Sequence, residues 1–237
     1  LIAGTPPTSD DRAWSLAGTP TVKTLTQLDL RTGKQLGIVP VSASATSVAL
    51  SVSGVIGLGL GTNRSGAIEF HNGTTGAPLS STPLAEPVID VAAGADGTTF
   101  SALYAKGRVN TVAVINQESG LVEATLPVLT NAVAIVPTPD QQAVYVLSGS
   151  GIVDEVSASD GHRLAEISLI AAGVDLALAP SGKTLFVLGG SSSAPSISIV
   201  DLATDAQQAV IPAAADSVAI APGLDDDHVY DYVGSST

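Results

Sequence analysis

Three aspartates, Asp90, Asp175 and Asp216, fall at or close to one place in a recurring pattern, the start of a short apolar segment. Carboxylates gathered this way could hold a hard cation such as Ca²⁺, which is bound through oxygen ligands. The competing role is local: each carboxylate accepts hydrogen bonds from nearby backbone N–H groups. A second oxygen-rich group is Asp225-Asp226-Asp227-His228, with Asp231 close by. It lacks the Asp-x-Asp-x-Asp-Gly spacing of a calcium loop, so a solvated acidic turn is the simpler reading. The candidate metal ligands are therefore Asp90, Asp175, Asp216, Asp225, Asp226 and Asp227, with Ca²⁺ as the ion.

Other chemistries find less support. His71, His162 and His228 offer no local pair for a transition metal and read as solvated turn residues. The cluster Gly57-Leu-Gly-Leu-Gly61 resembles a nucleotide-binding loop, but it lies in a strand-like run with no helix after it. Glycine where neighbouring sheets approach closely accounts for it better. No Gly-x-Ser-x-Gly elbow lies between a strand and a helix, and without cysteine there is no thiol chemistry. No catalytic or cofactor-binding residue is assigned. Asn63-Arg-Ser65 and Asn72-Gly-Thr74 match glycosylation acceptors.

The elements that must carry these residues are short strands. Apolar residues make up 45% of the chain but aromatics only 3%, and Met is absent, so the core is built from Val, Ile, Leu and Ala. With 24 Gly and 14 Pro there are many turns between them. Two turn signals keep the same beat. Glycines at 33, 76, 120 and 161, and Asp205 in the fifth copy, close one turn at spacings of 43, 44, 41 and 44 residues. A second turn recurs at Ser53-Gly54, Asp96-Gly97, Pro139-Asp140, Ser181-Gly182 and Pro222-Gly223. A repeat of about 43 residues holding four strands, a to d, is the signature of a β-propeller.

Strand a is nearly all apolar (Val88–Ala93, Leu176–Ala179), which suits burial on both faces. Strand d alternates, as in Leu121–Val128. The expected domain is a single propeller over residues 12–237, after a linker-like segment, 1–11. Residues 47–212 supply four complete units. A fifth would join strands c and d from Val22–Val41 to strands a and b from Val218–Val233, closing the ring with both chain ends. The strand-like Arg12–Gly18 around Trp14 complicates this and makes six blades the alternative. Seven would need about 300 residues. In either ring strand a lines the central channel, so Asp90 and Asp175, with Asp216 close to their register, would form a negative ring at one mouth of it.

The copy Ala179-Pro-Ser-Gly-Lys-Thr-Leu-Phe-Val187, followed by Ser196-Ile-Ser-Ile-Val-Asp-Leu-Ala-Thr204, resembles the surface-layer-type repeat of the YVTN or YncE-like propellers. The likeness runs over about residues 12–233, and the fourth copy is the close one. The Asn expected after the Tyr-Val pair is missing in every copy, with Leu147 and Leu188 where Thr is usual. The resemblance implies a blade-stacking motif with no catalytic residue.

Acids outnumber bases 22 to 9, a formal charge of −13, which argues against nucleic acid and anionic lipid as partners. The greasiest stretch, Leu169–Pro180, is broken by Asp175 and is too short to span a membrane. The Thr/Pro/Ser/Asp-rich opening is consistent with an exported chain trimmed of its signal or tethered through a linker or lipid anchor, and equally with a cloned fragment. The expected function is a non-enzymatic, extracytoplasmic interaction or scaffold module that engages a protein partner. The alternatives are a ligand-binding sensor domain of a larger envelope protein, or a propeller subunit of a lyase or quinoprotein-type enzyme, since propellers of similar repeat type include both.

Overall fold

The computed structural model describes residues 2–3, 12–29, 31–62, 65–106, 109–169, 171–191, 193–223, 226 and 228–234. The recurring turn is stabilised the same way in most copies. The side-chain oxygen of Asp29 accepts from the N–H groups of Arg31 and Thr32, and that of Asn116 from Glu118 and Ser119. Such a turn needs a left-handed residue at its end. Gly33, Gly76, Gly120 and Gly161 take φ of 67–76°, and Asp205 takes 51° in their place.

These turns close five antiparallel four-stranded sheets. The first holds β1 (Ile2–Ala3), β2 (Arg12–Gly18), β3 (Lys23–Asp29) and β4 (Gln35–Val41). The second holds β5 (Ala45–Leu50), β6 (Val55–Gly61), β7 (Gly66–Asn72) and β8 (Pro78–Leu84). The third is β9 (Val88–Ala93), β10 (Thr99–Lys106), β11 (Val109–Asn116) and β12 (Val122–Val128). The fourth is β13 (Ala132–Pro137), β14 (Ala143–Ser148), β15 (Ile152–Ser157) and β16 (Arg163–Ser168). The fifth is β17 (Gly173–Leu178), β18 (Thr184–Ser191), β19 (Ala194–Asp201) and β20 (Ala206–Pro212). A two-stranded sheet, β21 (Ser217–Pro222) and β22 (Val229–Val233), follows.

The inner strands pack in sequence around an axis, β5 on β9, β9 on β13, β13 on β17 and β17 on β21, with β1 between β21 and β5. The fold is thus a β-propeller of five four-stranded blades, and contact of the first inner strand, β1, with the last, β21, closes its ring.

The membership of one blade differs from the expectation. Strands c and d of the first blade do not join β21 and β22; β3 pairs with β2 along its full length, Arg12 opposite Asp29 through Gly18 opposite Lys23. The segment around Trp14 is therefore strand b of that blade, and Ile2–Ala3 supply its strand a. The physical reason is proximity. A four-residue turn, closed by Thr19 N–H donating to the Val22 carbonyl, joins β2 to β3, whereas the expected composite would close a loop of nearly the whole chain. Gly18 makes this turn feasible, since its φ of 135° and the nearby Val22 carbonyl leave no room for a side chain. Trp14 then seals the first blade against the second, its indole N–H donating to the Gly73 carbonyl at 2.8 Å.

The core lies between blades. Phe70 and Phe100, from adjacent blades, meet edge to face with ring centroids 5.3 Å apart. Gly57 sits under this pair: a Cβ there would lie 2.5 Å from the Phe100 ring. A Cβ at Gly59 would lie 2.7 Å from Val88. The glycine cluster thus serves blade stacking, as the absence of a following helix led us to expect.

Candidate ligand cavity on the ring axis

Each inner strand after the first shifts register against its neighbour near its start, so that one residue bulges toward the axis. The residue after the bulge is Ser47, Asp90, Ala134, Asp175 or Ala219 in successive strands, paired respectively with Gly59, Leu103, Leu147, Leu188 and Tyr232. Asp90 and Asp175 therefore occupy the same place in the repeat, as their sequence positions predicted. Asp216 does not share it. It precedes β21 in a left-handed turn (φ 63°), like Asn131 before β13, and its carbonyl accepts from Gly234 N–H.

The two equivalent carboxylates tie neighbouring blades together. Asp90 Oδ2 accepts from Ile135 N–H of β13 at 3.0 Å. Asp175 Oδ2 accepts from Ile220 N–H of β21 at 2.9 Å, and its Oδ1 from Leu176 N–H at 2.9 Å. The capping role weighed for these residues is therefore real. It coexists with a second role, because both line a cavity of about 390 Å³ on the axis.

The cavity wall is aliphatic. Bulged Ile89, Val133, Val174 and Val218 ring one end, and prolines of the a–b turns, among them Pro139 and Pro180, frame the other. Asp90 and Asp175 are the ionisable groups among its described lining residues. Removal from water raises the Asp90 carboxyl to about 7 against only partial relief from its backbone hydrogen bonds. Desolvation, reinforced by the Asp90 charge, raises Asp175 to about 8. Near neutral pH the pair thus shares protons in a greasy cavity, with no cationic side chain among the described lining residues to balance a charge.

The remaining sequence candidates scatter. Asp226 accepts from Ser181 N–H at 3.1 Å, fastening a surface turn; Asp225 and Asp227 lie outside the described residues. Among the described residues no three His, Asp or Glu gather around a point where a metal could sit. His71 is not a solvated turn residue: it is buried at the end of β7, its Nδ1 within 3.0 Å of the Gly76 carbonyl and its Nε2 3.4 Å from Glu69. His162 is exposed and paired with Asp160 at 2.6 Å. Asn72, one of the two glycosylation acceptors, spends its side-chain oxygen on the N–H groups of Thr74 and Thr75. Asn63 lies outside the described residues.

Sequence reading found both cavity carboxylates but not the cavity. Its signal was the β-branched residue just before each aspartate, Ile89 and Val174, repeated as Val133 and Val218.

No protein-family model matches the chain, and no curated protein does. Among solved structures it is similar to a chain described as Kuenenia stuttgartiensis hydrazine synthase, with a TM-score of 0.68 and 14% identity, over 92% of this chain and 66% of that one. At that identity the likeness is one of fold.

Proposed function

We propose that this propeller is a binding domain whose axial cavity takes a small aliphatic cation, in the extracytoplasmic setting that the YVTN-type resemblance suggests. Of the functions weighed from the sequence, this is the ligand-binding one, set above a pure scaffold or a catalytic subunit. The observation that carries it is the cavity: its volume suits a small molecule, its walls are apolar, and the polar side chains among its described lining residues are two carboxyls. An anion would meet only negative or neutral oxygens there. An alkylammonium would place its chain against Val and Ile and its charge between Asp90 and Asp175, compensating carboxylates that burial otherwise drives to protonate. The likeness to hydrazine synthase supports the fold and carries no chemistry.

Titration calorimetry with n-hexylammonium tests the reading. We expect binding that strengthens as pH rises from 6 to 9 and weakens at least tenfold in the Asp90→Asn/Asp175→Asn double variant, roughly 1.4 kcal/mol. Asn keeps an acceptor for the Ile135 and Ile220 N–H groups, so the ring should still form. Equal binding of n-hexanol, or an unaffected double variant, would show that charge plays no part.

A further inference from the structure

Besides the two carboxyls, the cavity is faced by backbone. β5, β9, β13, β17 and β21 each stand at the end of their sheet, so one backbone edge of each is left to the axis. Which residues present that edge follows from the alternation of an antiparallel pair. Ser51, Gly94, Thr138, Ala179 and Gly223 donate their N–H groups to carbonyls at or just before the start of strand b. The residue before each of them, Leu50, Ala93, Pro137, Leu178 or Pro222, therefore turns its backbone groups to the axis. So does the residue two places earlier, among them Ile135, Leu176 and Ile220. The hydrogen bonds from those three N–H groups to Asp90 and Asp175 obey the same alternation, because they leave strand b behind. Residues of both levels line the cavity.

Donors and acceptors are unequal along this edge. Every residue of it brings a carbonyl oxygen, but fewer N–H groups remain. At the first level Asp90 accepts from Ile135, and Asp175 from Leu176 and Ile220. At the second level Pro137 and Pro222 have no N–H to offer. A ligand on the axis thus meets an excess of acceptors, carbonyl and carboxylate, fixed by the sheets that carry them. The described lining residues include no aromatic ring whose face could receive a cation.

We infer that the cavity selects its cation by hydrogen-bond donors: the ligand head is a primary ammonium, whose N–H groups are divided between an aspartate and the axial carbonyls, and a quaternary ammonium is refused. The inference rests on the cation reading of the cavity and narrows it. A primary ammonium carries three donors and no acceptor, which is the complement of this wall. A trimethylammonium has the same charge, yet its methyl groups would strip water from the carbonyls and leave them unpaired. A site built to hydrogen-bond an N–H rejects an analogue that lacks it, and here no aromatic cage compensates.

Titration calorimetry at pH 9 compares n-hexylammonium with its N,N-dimethyl and N,N,N-trimethyl forms. A further ligand is a primary hexylammonium carrying two methyl groups on the carbon beside nitrogen, which is of similar bulk to the trimethyl ion but keeps its donors. We expect affinity to fall as donors are lost, by at least roughly tenfold from the primary to the trimethyl ion, while the bulky primary ion stays within about threefold of n-hexylammonium. Equal binding of the whole series, or equal weakening of the bulky primary and trimethyl ions, would overturn selection by donors and leave the cation reading in place. Failure of every ion to bind, n-hexylammonium included, would remove the cation reading and this inference with it.

Discussion

Asp90→Asn and Asp175→Asn should stabilise the protein at alkaline pH and leave it unchanged in acid. Both carboxyls have folded-state values above their ordinary one, about 7 and about 8 against 3.8. A group of that kind holds more protons folded than unfolded, so its contribution is fully present below pH 4 and is lost as pH rises through 7 and 8. At about 1.4 kcal/mol per pH unit, the Asp90 displacement sets a ceiling of about 4 kcal/mol on the cost of ionising it in place. Relaxation of the surroundings about a buried charge lowers that ceiling, and about 2 kcal/mol per site is the expected gain on substitution at pH 9. Asn keeps one acceptor oxygen for Ile135 or Ile220, but at Asp175 its amide nitrogen replaces the oxygen that accepts from Leu176 N–H, so the gain there is the smaller of the two.

Urea titrations at pH 5, 7 and 9 measure this directly. The parent should lose stability across the range, each single variant less, and the double variant least. Its residual slope reports the general repulsion of a chain with charge −13. A parent whose stability is flat from pH 5 to 9, or Asn variants weaker than the parent at pH 9, would refute the burial reasoning.

Three further outcomes follow from the packing. Gly57→Ala drives a methyl into the Phe100 ring, which is fully buried and already braced by Phe70, and should cost about 2–3 kcal/mol in chemical denaturation. Trp14→Phe keeps most of the ring volume but removes the shorter of two bonds to the Gly73 carbonyl, leaving the Gln27 amide at 3.4 Å, and should lower stability by about 1 kcal/mol while far-ultraviolet dichroism stays unchanged. Asp205→Gly replaces a side chain held at φ 51° with the residue its four sister turns use, and should raise the melting temperature slightly, by about 0.5–1 kcal/mol of stability.

How much of this was legible beforehand divides along the range of the interactions. The repeat, the four strands per unit and the left-handed turn residues are local, so composition and spacing carry them: a turn ending at φ of about 70° calls for Gly at 33, 76, 120 and 161 wherever the sheet goes. The equivalence of Asp90 and Asp175 was legible for the same reason, since a repeat maps sequence register onto spatial register. Strand partnership at the chain ends was not, because Val22–Val41 presents the same alternation to either candidate partner and only the short turn through Gly18 favours β2. Nor was the burial of His71, which depends on a hydrogen bond to the Gly76 carbonyl across a folded turn.

The aspartates show the division most clearly. Their place at the head of strand a is a property of the sequence, and it was enough to make them candidates for a cation. What a carboxylate does there depends on the dielectric around it and on which groups converge. That was decided when inner strands far apart in the chain closed around one axis, surrounding two acids with Ile and Val instead of water, basic side chains or further oxygens.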